Sequence, residues 1–171
     1  MTSRPRSDHL PPANVSAERA ILGAVLLDNS LYAAAGGLDA DDFFLKAHKI
    51  IYLRIGEMLE RGEAVDPVTL IESLRTTKDL DQIGGTPVAY INNLNSETIR
   101  YQPAVKDWAR IVKAKSLLRQ LMGSCSSAIE KAYAGESGFD IIAALRDQLE
   151  EIEIAARNGV RVKPAPPPET P

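Results

Sequence analysis

A chain of 171 residues is long enough for one ordinary hydrophobic core, or for a compact core with an extended accessory element, but too short for two full-sized domains. The 44% hydrophobic and 25% charged fractions are those of an ordinary globular protein, and a formal net charge of -3 excludes the strongly basic balance of a dedicated nucleic-acid coat protein. Cys125 is the only cysteine, which excludes an intramolecular disulfide and gives no support to a thiolate zinc site. The opening residues contain no apolar signal region, and no apolar run approaches the roughly 20 residues needed to span a bilayer. A cytoplasmic location without membrane contact is therefore expected.

Residues 1–14 are polar and carry Pro5, Pro11 and Pro12, the composition of a disordered lead-in. Ser16 is a candidate N-cap for a first helix, in which Ala17, Ala20, Ile21, Ala24, Val25 and Leu27 recur at three- and four-residue intervals. Asp28, Asn29 and Ser30 end it and cap a short helix over 31–35, stopped by Gly36 and Gly37. Asp41 or Asp42 can cap a longer helix whose stripe is Phe44, Ala47, Ile51, Ile55, Met58 and Leu59. Pro67 follows Asp66 at a helix N1 position, with Val68, Leu70, Ile71 and Leu74 behind it. Gly84 and Gly85 break the chain before a short helix through Val88, Tyr90, Ile91 and Leu94. These short helices describe a helical globule over 15–97.

From about Pro103 the pattern lengthens. Trp108, Ile111, Leu118, Met122, Cys125, Ile129 and Ala132 fall at heptad-like spacing, interrupted by Lys115. A turn from Gly135 to Gly138 leads to a second stripe at Ile142, Leu145, Leu149, Ile152 and Ala156. Two long apolar seams across a short turn predict an antiparallel helical hairpin over 98–158. Residues 159–171 are proline-rich and should be extended and disordered. The fold class is all-α: a small multi-helix globule, a long antiparallel hairpin and disordered termini.

Several segments together carry a family resemblance. They are Glu18-Arg-Ala-Ile-Leu-Gly-Ala-Val-Leu-Leu-Asp-Asn29, the Asp42-Phe43-Phe44 and His48-Lys-Ile-Ile-Tyr52 segments, Val65-Asp-Pro-Val-Thr-Leu70, and Asp79-Leu-Asp-Gln-Ile-Gly-Gly85 leading into Tyr90-Ile-Asn-Asn-Leu94. In this order the chain resembles the amino-terminal domain of the bacterial replicative DNA helicases of the DnaB family. The resemblance implies an all-helical collar that assembles the helicase ring and docks primase, and so a non-catalytic role in DNA replication. In that family ATP and magnesium belong to a separate RecA-like motor domain. A phosphate loop needs a glycine-rich turn followed by Lys and Ser or Thr, yet none of the 11 glycines here is followed by Lys. ATP turnover is therefore not expected of these residues alone, and no cofactor is expected on them.

No catalytic constellation emerges. His48 lacks a second His in the ordered region and an adjoining Cys, so it reads as a structural or surface residue. Paired acids such as Asp41 with Asp42, or Glu150 with Glu151, read as caps and solvated faces. From Arg100 to Arg119 six basic residues stand against Asp107 alone, whereas from Glu136 to Arg157 six acids stand against Arg146 and Arg157. An antiparallel hairpin brings these blocks together, so charge pairing within the hairpin or across a dimer is expected. The alternative is a DNA-phosphate track with Arg110, Lys113 and Lys115 as candidate nucleic-acid contacts. Trp108, Leu118, Met122, Ile129, Leu145, Leu149 and Ile152 are the candidate oligomerisation residues. Expected partners are further copies of the chain and primase, a full-length replicative helicase or both, with DNA at most weak or indirect. Two other readings are a truncated regulator or remnant of a helicase and a single-stranded DNA-binding accessory protein.

Overall fold

A computed structural model describes residues 10–94 and 102–159. The expected proline-rich tail, most of the lead-in and the boundary between residues 97 and 98 lie outside the described residues. All regular structure among the described residues is helical. Six α-helices run in the order α1 (Val15–Leu27), α2 (Lys46–Glu60), α3 (Pro67–Thr76), α4 (Pro87–Asn93), α5 (Gln102–Tyr133) and α6 (Gly138–Gly159). Short 3-10 helices at Asn29–Ala35, Ala40–Asp42 and Leu80–Ile83 join the smaller ones.

The caps show how the sequence sets these elements. Asn14, not Ser16, caps α1: its side chain accepts from the Ala17 N–H at 3.0 Å, so Ser16 already lies inside the first turn. Asp28 starts the next 3-10 helix by accepting from the Ser30 N–H at 3.0 Å. At α3, Asp66 accepts from the Val68 and Thr69 N–H groups while the Thr69 hydroxyl accepts from the Asp66 N–H, closing a capping box around Pro67 at N1. Gly84 and Gly85 take positive φ values of 78° and 58°, the left-handed region that lets the chain turn sharply into α4.

Neither Asp41 nor Asp42 caps α2. Both sit in the 3-10 helix Ala40–Asp42, and Leu45 precedes α2 without a side-chain cap. Glu18 of α1 instead accepts from the N–H groups just ahead of the helix, Phe44 at 2.8 Å and Leu45 at 3.4 Å, so a tertiary contact fixes the chain where it enters α2.

The core is built from Ile21, Leu22 and Val25 of α1, Phe43, Ile51, Ile55 and Met58 at and along α2, Leu70 and Leu74 of α3, and Ile91 of α4. Val68 faces solvent, as does Val88, because the registers of α3 and α4 turn Leu70, Leu74 and Ile91 inward instead. The first turns of α5 belong to this core through Val105, Ala109 and Val112, with Ser116 buried beyond them. The buried register of α5 is thus offset from the expected stripe: Trp108 is half-buried against the core and Ile111 is exposed.

Candidate functional site

Two features distinguish the molecule: a set of buried polar contacts at the root of the hairpin, and an uncovered apolar surface along its arm. The root is organised by Asp42. Its Oδ2 accepts from the Asp39 N–H at 2.9 Å and from Lys113 Nζ at 2.8 Å, with side-chain exposures of 3% for the acid and 12% for the lysine. One turn and a half further along α5, Arg119 donates to the Asp42 carbonyl at 2.5 Å and to the Pro12 carbonyl at 2.8 Å, its guanidinium 5.7 Å from the Phe44 ring centre. Two cations of α5 therefore clamp the 3-10 corner before α2, and one also holds the chain entering α1.

A second buried chain ties α1, α2 and α4. Glu18 Oε2 lies 2.6 Å from His48 Nδ1, and His48 Nε2 lies 2.5 Å from the Tyr90 hydroxyl. Glu18 and His48 are both buried. An ionised carboxylate that already accepts two backbone N–H groups can only accept, which makes His48 Nδ1 the donor. Burial is the main cause holding the Tyr90 hydroxyl above its ordinary pKa; Arg19 opposes this and Glu18 adds to it. Both ring nitrogens of His48 are thus taken up within the fold, and no metal-binding cluster occurs among the described residues.

Beyond Ser116 the character changes: no described side chain in the rest of α5 or in α6 is fully buried. Ala128 of α5 and Ile141, Leu145 and Ile152 of α6 are half-covered. Leu118, Met122 and Ile129 remain 45%, 49% and 55% exposed, and Ile142 and Leu149 are exposed on α6. At the hairpin tip Tyr133 and Phe139 are 90% and 88% exposed. Two helices lying side by side cannot enclose each other's apolar faces.

The basic residues of α5 that form ion pairs do so along their own helix or with the globule. None of the ion pairs among the described residues joins α5 to α6. Lys113 and Arg119 turn to the globule, Arg110 pairs with Asp107 within α5, and Arg157 pairs with Glu153 within α6. The cause is reach: α5 continues past the end of its partner, so its basic first half lies against the globule and its corner acid Asp42. Lys115 is half-buried.

The helical globule followed by a long hairpin has close counterparts among known proteins. Residues 10–114 match the family model of the DnaB-like helicase N terminal domain. The chain belongs to this family. The replicative DNA helicase DnaB of Geobacillus stearothermophilus is 36% identical over 137 residues, which is 80% of this chain and 30% of that protein. The DnaB of Mycobacterium leprae is 33% identical over 147 residues, 85% of this chain and 24% of that protein. The chain thus spans a third or less of these curated relatives. In structure it is similar to the N-terminal domain of DnaB helicase from Mycobacterium tuberculosis, with a TM-score of 0.73 and 29% identity over 83% of this chain and 99% of that one. It shares its fold, at a TM-score of 0.65 and 23% identity, with a DnaB-like replicative helicase whose interactions with primase have been described. The family model ends at residue 114, and the longer matches to these relatives and the structural likeness both extend into the hairpin arm beyond it. No helix among the described residues is long and apolar enough to cross a membrane.

Proposed function

We propose that this DnaB-like N-terminal domain acts in DNA replication by protein contact, associating with its own kind through the hairpin arm and docking primase or a replicative helicase. The observation that carries this reading is the absence of any fully buried side chain among the described residues of the arm beyond Ser116. Leu118, Met122, Ile129, Leu145, Leu149 and Ile152 line the arm's apolar seams, and Trp108 braces its root. Burying a Leu, Ile or Met completely is worth roughly 1.5–3 kcal/mol, so the exposed half of each such side chain represents about 1 kcal/mol. Some ten half-covered side chains across two copies then supply ~10 kcal/mol gross, against association costs of roughly 4–15 kcal/mol. Association on this reading depends on concentration and yields to a single charged substitution.

The primase and helicase partners are supported by family membership and by the published partner of the structurally similar helicase. DNA is the weaker alternative, since Lys113 is engaged by Asp42 and Arg110 by Asp107, and the chain carries -3 overall. Parallel titrations at physiological salt test the choice. Binding to the primase of the same organism, or to its helicase, should be tighter than binding to single-stranded DNA. Sub-micromolar DNA binding with no detectable primase or helicase binding overturns the proposal. Purified chain should turn over no ATP, because it has no glycine followed by Lys to form a phosphate loop.

A further inference from the structure

On the globule, the 3-10 helix Asn29–Ala35 and the middle of α2 enclose a notch of about 180 Å³. Small-molecule pockets run to roughly 300–1,000 Å³, so this one has the size for a single side chain. Its walls include Tyr32 and Tyr52, whose rings stack with centres 5.2 Å apart. Gly56 makes this arrangement possible: a Cβ there would come within 2.5 Å of the Tyr32 hydroxyl oxygen. Asp39 and Glu60 stand at the rim, and neither takes part in an ion pair among the described residues, whereas the nearby Glu57 is held by Arg54 at 2.7 Å. Burial chiefly raises the pKa of the Tyr32 hydroxyl, and Glu60 and Asp39 raise it further against a lowering hydrogen bond from Tyr52. Leu53, exposed beside the notch, offers an apolar contact at its edge.

We infer that this notch is a docking point for an arginine side chain of a partner protein, held between the Tyr32 ring and the carboxylates of Asp39 and Glu60. The Tyr32 ring and the acids point to a cation independently, the ring through its quadrupole and the acids through charge, while the buried Tyr52, packed between Tyr32 and Phe43, backs the ring from behind. Guanidinium fits better than ammonium, because its plane stacks on an aromatic ring while its forked N–H groups reach carboxylates on two sides. An arginine seated beside an apolar anchor such as Leu53 is the composition of an interface hot spot. The surface lies on the globule, apart from the apolar stripe of the hairpin arm.

The test uses the full chain and a defined probe, Nα-acetyl-arginine amide, followed by amide NMR shifts. Saturable shifts should centre on Tyr32 and Gly56, and the uncharged citrulline analogue should leave them unmoved. D39N/E60Q should weaken the apparent affinity at least tenfold. Y32L, which keeps every charge, should do the same, as should G56A if it folds. Shifts spread evenly over unrelated carboxylates such as Glu72 and Glu153 overturn the inference, as does wild-type affinity in folded Y32L. A lysine analogue that binds as tightly as the arginine probe overturns the guanidinium assignment.

Discussion

Replacing Lys113 with Met separates a structural cation from one that contacts phosphate. In the structure its ammonium meets Asp42 at 2.8 Å, with the acid 3% and the lysine 12% exposed. Removing one partner of a buried pair costs about 3–5 kcal/mol, since the other charge stays buried. Here Asp42 keeps the Asp39 N–H, and the lysine site retains some solvent, so the lower end applies, about 3 kcal/mol. At roughly 2–4 °C per kcal/mol for a chain of this size, Tm should fall by about 6–12 °C. Asp42→Asn should cost less, about 1–2 kcal/mol, because an amide still accepts from Asp39 and the lysine can reach water. The double variant should recover part of the loss, giving a coupling energy of about 1–3 kcal/mol in urea titrations. Arg110→Met, on a surface pair, should stay within about 0.5 kcal/mol of wild type. Lys113→Met as stable as Arg110→Met, with a loss of DNA affinity instead, would show that Lys113 is a phosphate contact and not a structural cation.

Tyr90→Phe should destabilise the chain by about 1–3 kcal/mol by stripping the buried His48 Nε2 of its partner, and His48→Phe added to it should show non-additivity in the same urea titrations. Alkaline pH should unfold the domain: Tyr32, Tyr52 and Tyr90 all have raised pKa values, chiefly through burial. Their native states hold protons that the unfolded chain releases near pH 10, so stability is intact below that pH and falls as pH climbs through the folded-state values. A spectrophotometric tyrosinate titration should show part of the signal appearing only together with loss of helicity; full ionisation while the chain stays helical would contradict the assignment.

Local grammar was legible in the sequence. Asp66-Pro67 announced α3, Gly84-Gly85 announced the turn before α4, and two heptad-like runs around Gly135 announced the hairpin. What was not legible depends on contacts remote in sequence. Asp42 read as a cap because nothing near it reveals Lys113, 71 residues away, or Arg119, 77 residues away. Heptad spacing likewise left the facing register of α5 undecided, since Val105, Ala109 and Val112 form a second stripe that competes with Trp108 and Ile111. Glu18 did carry a signal. It is an acid on the face of α1 that also bears Ile21, Leu22 and Val25, and such a residue needs a buried donor. The notch of Tyr32 and Tyr52 had no sequence signature, because its walls come from separate elements that only packing brings together.

Sedimentation equilibrium of the wild-type chain beside Leu118→Asp/Ile129→Asp tests the hairpin account most directly. Both side chains are about half exposed on the arm, so the substitutions should leave the globule folded, with circular dichroism unchanged. The wild type should show a concentration-dependent mass of at least a dimer, and the variant should remain a monomer across the same range. A wild type that stays monomeric at high protein concentration, or a variant that associates just as strongly, contradicts the claim that the uncovered arm is an assembly surface.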